Sequence, residues 1–330
     1  MSRLRVACIG TGFIAGRHLA ALKDFDDVDL VAVADTVPQR AQDVAAQHGA
    51  RAYHDGIGLL ESEDLDAVWI CVPPFAHGAI ELAAIERGLP FLVEKPLAHD
   101  LDTAVQIAER VRSSGVLAAV GYHWRYLELV EQAAALLSSA PAVLVSGHWL
   151  DATPPVPWWV QRRRSGGQVL EQTTHLLDLA RLLVGEVTQV SAVEAPAAGD
   201  RDGVVPLAAA ATLRFSSGAV GTIASARTMP ARHRVGLRLV SEACAVEVVE
   251  RSLVDHELRV ADPSGERSIR EDASPIARED RAFLDAVRLG GGDVRAPYLD
   301  ALGSHALAWA VDRSAREGQP MTPYVPVPHG

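Results

Sequence analysis

Lysine is nearly missing from this chain. Of 31 basic residues in 330, Lys23 and Lys95 are the only lysines; the other 29 are arginine. Abundant arginine and alanine fit a GC-rich coding sequence, which favours arginine wherever only positive charge is needed. A lysine kept in that background draws attention, because an ammonium can give up its proton at accessible pH and a guanidinium cannot. Cysteine is also scarce. Cys8, Cys71 and Cys244 are far apart and odd in number, which excludes a disulfide or zinc framework and reads as reduced, mostly buried thiols. No apolar run approaches the ~20 residues of a membrane-spanning helix. The start, Met1-Ser2-Arg3-Leu4-Arg5-Val6, has no signal-peptide cleavage region, so a cytoplasmic location is expected. Positive charge is in deficit: the net charge is −11. Nucleic acid and anionic membrane are therefore not expected as partners, since both need a basic face, and Arg162-Arg163-Arg164 is only a local basic cluster. Internal repeats and low-complexity tracts are absent.

What is present is a globular composition, with 48% hydrophobic and 22% charged residues, and a length that suggests two domains. Over the first 120 residues, strands expected at 4–9, 28–34, 51–53, 67–72, 90–93 and 116–120 alternate with helices at 13–24, 38–48, 76–87 and 101–113. The strands are continuously apolar, as in a parallel sheet covered on both faces. The pattern then changes. A helix at 127–139 and a strand at 142–150 precede an aperiodic stretch, 151–166. A long helix at 168–184 and β-like runs at 187–196, 205–215, 219–229, 234–241 and 244–250 follow. Helices near 276–289 and 298–316 finish the chain. The expected fold is α/β: a doubly wound, Rossmann-type domain over 1–122, then an α+β domain over 123–330 with a largely antiparallel, open-faced sheet. The C-terminal helix is a candidate to pack back on the first domain.

Gly10-Thr11-Gly12-Phe13-Ile14-Ala15 has the form G-x-G-x-x-A between a strand and a helix. Gly10 permits the tight turn, Gly12 lets a pyrophosphate approach the backbone, and Ala15 lets the helix pack closely. The helix N-terminus offers amide donors and a positive dipole end. Asp35 ends the next strand, at the usual distance for a carboxylate that binds the ribose hydroxyls. It repels a 2′-phosphate, so NAD is expected over NADP, while Arg40 softens that preference. Glu94-Lys95-Pro96 ends the fifth strand, where ligands gather in open parallel sheets. Lys95 there reads either as a group that holds a substrate oxygen or as a surface lysine in a turn. In Gly166-Gly167-Gln168-Val169-Leu170-Glu171-Gln172-Thr173-Thr174-His175-Leu176-Leu177-Asp178, helical spacing puts Glu171, Gln172, His175 and Asp178 on a shared side. His175 is a candidate proton carrier, or a structural histidine. No His/Cys spacing supports a metal site, and none is expected.

These motifs together resemble the Gfo/Idh/MocA oxidoreductase family over nearly the whole chain. The resemblance is carried by the glycine turn, Asp35, Val72-Pro73-Pro74 with His77, Glu94-Lys95-Pro96, Gly121 through Tyr126, and the Gly-Gly…His-x-x-Asp helix. It implies a cofactor lying over Gly10, Thr11, Gly12, Phe13 and Ile14, beside Asp35 and Arg40, and against Cys71, Val72, Pro73, Pro74 and His77. Glu94 and Lys95 border it, and Lys95 and His175 sit beside the nicotinamide. The implied activity is hydride transfer between nicotinamide C4 and a secondary alcohol or carbonyl of a sugar or polyol. In it His175 takes the hydroxyl proton, Lys95 steadies the oxygen and Glu171 orients the histidine or a substrate hydroxyl. His123, Trp124, Trp158, Trp159, Arg162 and Gln172 are the expected substrate contacts. The family resemblance also implies a homodimer or homotetramer formed through the C-terminal sheet. The chain departs from the pattern in three places. Glu171 stands where many members have aspartate, Thr173 where they have glycine, and His123-Trp124-Arg125-Tyr126 lacks the common asparagine. A non-catalytic dinucleotide sensor, and a transient redox cycle serving hydrolysis or elimination, are the competing readings.

Overall fold

A computed structural model describes residues 2–199, 203–230 and 234–324. The chain divides into two compact units. The first comprises residues up to Ala98, Asp102–His123 and Ile276–Leu302; the second comprises His99–Leu101, Trp124–Pro275 and the residues from Gly303 onward.

The first unit holds β1 (Leu4–Ile9), β2 (Val28–Ala34), β3 (Arg51–Tyr53), β4 (Ala67–Ile70), β5 (Phe91–Val93) and β6 (Ala118–Val120), with α1 (Phe13–Lys23), α2 (Pro38–His48), α3 (Gly56–Ser62), α4 (Ala79–Glu86) and α5 (Leu101–Ser114). All strand pairs are parallel, in the order β3-β2-β1-β4-β5-β6. β4 and β5 are buried along their whole length, which is why their sequences are apolar runs rather than alternating ones. The strand order reverses between β1 and β4, so the turns leaving these two strands flank the switch point where open α/β sheets bind ligands. A helix at Pro275–Leu289 supplies Phe283 and Leu284 to this core. Phe283 meets Trp69 edge-on at 5.2 Å, and the Trp69 indole N–H donates to Asp280 at 2.8 Å. A boundary at 122 assigns Ile276–Leu302 to the second domain; the structure counts this segment in the first.

The second unit holds one eight-stranded sheet: β7 (Leu144–Leu150), β8 (Val187–Ala195), β9 (Ala208–Phe215), β10 (Val220–Ala226), β11 (Arg234–Val240), β12 (Ala245–Ser252), β13 (Asp255–Asp262) and β14 (Gly265–Glu271), ordered β14-β13-β12-β11-β7-β10-β9-β8. Only β7 and β10 pair in parallel. Inward residues such as Val145, Ile223, Leu237 and Val248 join a core with Leu176, Leu177, Leu179 and Ala180 of α8 (Thr174–Val184), which follows α6 (Glu128–Leu137) and the short α7 (Arg162–Ser165). Side chains on the opposite face alternate outward; on β8, β9 and β10 most of them are exposed. β13, β14 and α3 are absent from the sequence reading. Every residue of β14 except Ile269 and Glu271 is exposed, and its sequence, Gly-Glu-Arg-Ser-Ile-Arg-Glu, is highly charged. Charge of that kind protects a sheet edge and hides it from a search for apolar runs. Among the described residues no helix is long and apolar enough to cross a membrane.

Candidate functional site

The glycine turn joins β1 to α1. Gly10 has φ +86°, and a Cβ there falls 2.3 Å from the Cys71 carbonyl oxygen, so both its conformation and the neighbouring end of β4 demand glycine. At Gly12 the situation is reversed: a Cβ meets nothing within 4 Å. Among the described residues nothing crowds this position. α1 has no side-chain N-cap and no acid in its first turn, so its leading amides keep their full attraction for an anion. Phe13 beside them is 73% exposed and Ile14 is half-buried. Asp35, 9% exposed, follows β2; its Oδ2 accepts from the Thr11 N–H (3.1 Å) and hydroxyl (2.8 Å), and its Oδ1 from the Val37 N–H (2.9 Å). Burial pushes the Asp35 carboxyl up, but these donors and the Arg40 guanidinium at 3.4 Å outweigh it and hold the group below its ordinary value. An uncrowded Gly12, a helix start without a side-chain cap and a fixed carboxylate at the next strand end fit a dinucleotide.

The loop after β4 is tightly built. Cys71, Pro74 and His77 are buried; Val72 and Pro73 are half-buried. His77 Nδ1 lies 2.6 Å from Glu81, whose other oxygen accepts the Gly78 N–H, so this histidine helps start α4. The Cys71 thiol is pushed well above its ordinary value by Cys8 and by burial. Lys95, half-buried, leaves the end of β5; its backbone N–H donates to Glu94 Oε2 at 3.1 Å. His123, also in this unit, is buried.

In the second unit, His175 lies in the first turn of α8 and is 4% exposed. Its ring stacks on Trp124 (6.2 Å, 18°) and on Trp149 (5.8 Å, 19°). Trp149, stacked on the candidate His175, is not among the residues the sequence singles out. The signal is its place on β7, where Val145, Gly147 and Trp149 alternate inward. The single helix expected over 168–184 is instead a π-helical turn, Val169–Thr173, running into α8. Such wide turns are frequent at functional sites, and this one carries Glu171 and Gln172. Trp159 is buried and donates its indole N–H to Glu171 at 2.9 Å, while Trp158 is half-buried. Gln172 accepts from Gln168 at 3.0 Å. Two residues have other duties. Asp178 accepts two hydrogen bonds from buried Arg125 and one from Ser304. Arg162, expected at the substrate, has Nη1 on Asp312 and Nη2 on Glu194, both at 2.7 Å and all three nearly buried. Three consecutive arginines do not reveal that the first one turns inward.

Comparison with known proteins agrees with these features. Residues 4–122 match the model of an oxidoreductase family with an NAD-binding Rossmann fold, and residues 140–247 match the GFO/IDH/MocA C-terminal domain. The chain is 31% identical to myo-inositol 2-dehydrogenase of Thermotoga maritima over 237 residues, covering 68% of this chain and 69% of the relative. It is 26% identical to D-apiose dehydrogenase of Paraburkholderia graminis, covering 97% and 89%. Levoglucosan dehydrogenase in complex with NADH shares the fold, with a TM-score of 0.85 at 20% identity over 98% of this chain and 100% of that one. With the glycine turn, the Glu-Lys-Pro strand end and the open-faced sheet in place, the chain belongs to the Gfo/Idh/MocA oxidoreductase family.

Proposed function

We propose that the protein is an NAD-dependent dehydrogenase acting on a secondary alcohol of a sugar or polyol. The observation that carries this is Lys95: one of two lysines, held at the carboxyl end of β5 in the unit that carries the dinucleotide turn. Bound NAD+ supplies a hydride acceptor at nicotinamide C4. The chain supplies the proton chemistry. His175, its ring plane held by Trp124 and Trp149, takes the hydroxyl proton as general base. The Lys95 ammonium hydrogen-bonds the same oxygen and stabilises the negative charge that builds there. Glu171, held by Trp159, orients a substrate hydroxyl. The alcohol carbon loses one hydride and its oxygen one proton, leaving a carbonyl. The joint action of Lys95 and His175 rests on the family resemblance of their two motifs. The polyol and sugar class rests on the dehydrogenases to which the chain is similar. Three free, buried cysteines support a reducing, cytoplasmic setting, and the open face of the eight-stranded sheet supports a homodimer or a tetramer built from dimers.

The test is NADH absorbance, in both directions, with myo-inositol, D-apiose, levoglucosan and related sugars. At least one is expected to reduce NAD+. Lys95→Ala is expected to lose ~100-fold or more in turnover, the scale of a positioned acid or base, with NADH affinity within about threefold. No turnover across the panel, or wild-type turnover in Lys95→Ala, overturns the reading.

A further inference from the structure

Behind Lys95 lies a buried hydrogen-bonded chain that the proposed proton chemistry leaves unused. His18, on the second turn of α1, has no solvent exposure. Its Nδ1 lies 2.7 Å from Asp280 Oδ1 and its Nε2 lies 3.1 Å from Glu94 Oε1. Asp280 Oδ1 also accepts the Trp69 indole N–H. The other Glu94 oxygen, Oε2, accepts the backbone N–H of Lys95. Space for the Glu94 carboxylate depends on Gly121: a Cβ there falls 2.5 Å from Oε1 and 2.9 Å from Oε2. Every link lies within the first unit.

An imidazole that donates to a carboxylate through each nitrogen carries both protons. Burial works against that charge. Asp280 and Glu94 outweigh it, and the His18 pKa is raised well above its ordinary value. Burial likewise pushes Glu94 up, but the His18 hydrogen bond and the charges of His18, Lys95 and His123 bring it below its ordinary value. Ligand atoms of His18, Glu94 and Glu279 lie within 4.8 Å of one another. With both His18 nitrogens directed at carboxylate oxygens, a proton occupies the position a cation would need.

We propose that the Asp280–His18–Glu94 chain is the positioning device of Lys95. The imidazolium fixes the Glu94 carboxylate, and that carboxylate fixes the backbone from which the lysine side chain departs. Because His18 shares α1 with the phosphate-binding turn, one helix holds the dinucleotide with its first turn and the lysine with its second. The proposal rests on Lys95 being a catalytic group.

Two variants approach Glu94 from opposite sides. His18→Gln removes the double donor; Gly121→Ala pushes on the carboxylate and leaves His18 in place. The first readout needs neither cofactor nor turnover. Reductive 13C-methylation labels the amines of Lys23, Lys95 and the N-terminus, so Lys95 is resolved in a spectrum of very few signals. Both variants are expected to shift the Lys95 signal and leave that of Lys23 unmoved. The second readout is a double-mutant cycle with the best substrate of the panel. Each variant is expected to lower kcat tenfold or more, with substrate KM within about threefold, and to cost less than twofold further in a Lys95→Ala background. An unmoved Lys95 signal in both folded variants overturns the proposal. So does an equal fractional loss of kcat with and without Lys95, which marks a purely structural role. Wild-type turnover in Lys95→Ala alone overturns the catalytic reading of the lysine, and the device with it, before the cycle is closed.

Discussion

Asp35 is tied down on both oxygens before any ligand arrives. Thr11 holds one, Val37 the other, and the carboxylate stays ionised because those donors exceed the cost of its burial. A fixed anion there discriminates against a second anion, the 2′-phosphate of NADP. Asp35→Ala is expected to lower the ratio of NAD to NADP affinity by roughly tenfold, about 1.4 kcal/mol. Part of the loss comes through the freed Thr11 turn. Calorimetric titration with the two oxidised cofactors measures it; an unchanged ratio means the carboxylate is not what discriminates. The places of such single residues are the most legible part of the sequence. Gly10, Asp35 and Lys95 stand out because each sits where a strand ends, and strand ends are visible as the close of an apolar run. Trp149 is legible only in part. The alternation of β7 marks it as inward-facing, but its stacking on His175 of α8 is a tertiary contact that local sequence does not name. The ion pairs of Arg162 are hidden for the same reason, since its partners Asp312 and Glu194 lie 150 and 32 residues away.

At the scale of elements, the long helix shows what periodicity conveys and what it omits. The apolar spacing marks a helix from 168 to 184 but is silent on the wide turn at Val169–Thr173. It also treats Asp178 as one more polar residue of the active face. In the structure Asp178 pins α8 to Arg125 and Ser304, with both side chains of the ion pair almost fully buried. Removing one member of a buried pair strands the other, at a cost of about 3–5 kcal/mol. Asp178→Ala is expected to lose stability on that scale in urea denaturation. A loss under 1 kcal/mol would mean that Arg125 finds water or another acceptor. The Asp312–Arg162–Glu194 cluster, which joins α7, β8 and the C-terminal helix Tyr298–Glu317, predicts a pH effect of definite sign. Burial, opposed by Arg162, raises Asp312 to about 6. The folded chain therefore holds a proton that the unfolded chain releases near pH 4, and stability falls as pH rises from about 4 to about 6. Asp312→Asn keeps an acceptor for Arg162 but cannot titrate. Relative to this variant, the wild type is expected to lose stability between pH 4.5 and pH 7, and parallel denaturation midpoints across that range would exclude the effect.

For the molecule as a whole, the division into a parallel and a mostly antiparallel sheet was readable from the change in strand pattern after residue 122. The return of Ile276–Leu302 to the first unit was not, because a helix's partner depends on tertiary packing of Phe283 and Leu284 rather than on its own period. The open face of the second sheet points beyond one chain. On β7, β10 and β9 one row of it is small and uncharged: Ser146, Thr222 and Thr212 lie side by side in register, and the row continues into the paired charges of Arg238, Glu247 and Arg259 on the next three strands. Leu144, Val193 and Val220 are exposed around the small residues. A small uncharged patch with exposed apolar side chains around it is suited to a second copy of itself about a twofold axis. Thr222→Glu puts a carboxylate in the middle of that row, where it stays hydrated in a single chain but must be buried, with its symmetry mate nearby, in a face-to-face pair. Light scattering after size exclusion is expected to give a dimer or tetramer for the wild type and a smaller species for Thr222→Glu, with an unchanged far-UV spectrum. A wild-type monomer at tens of micromolar, or a variant that assembles as the wild type does, would mean that this face has no such partner. A variant that dissociates and also loses turnover would show in addition that assembly supports the geometry around His175, whose stacking partner Trp149 projects from the inner face of the same β7 strand.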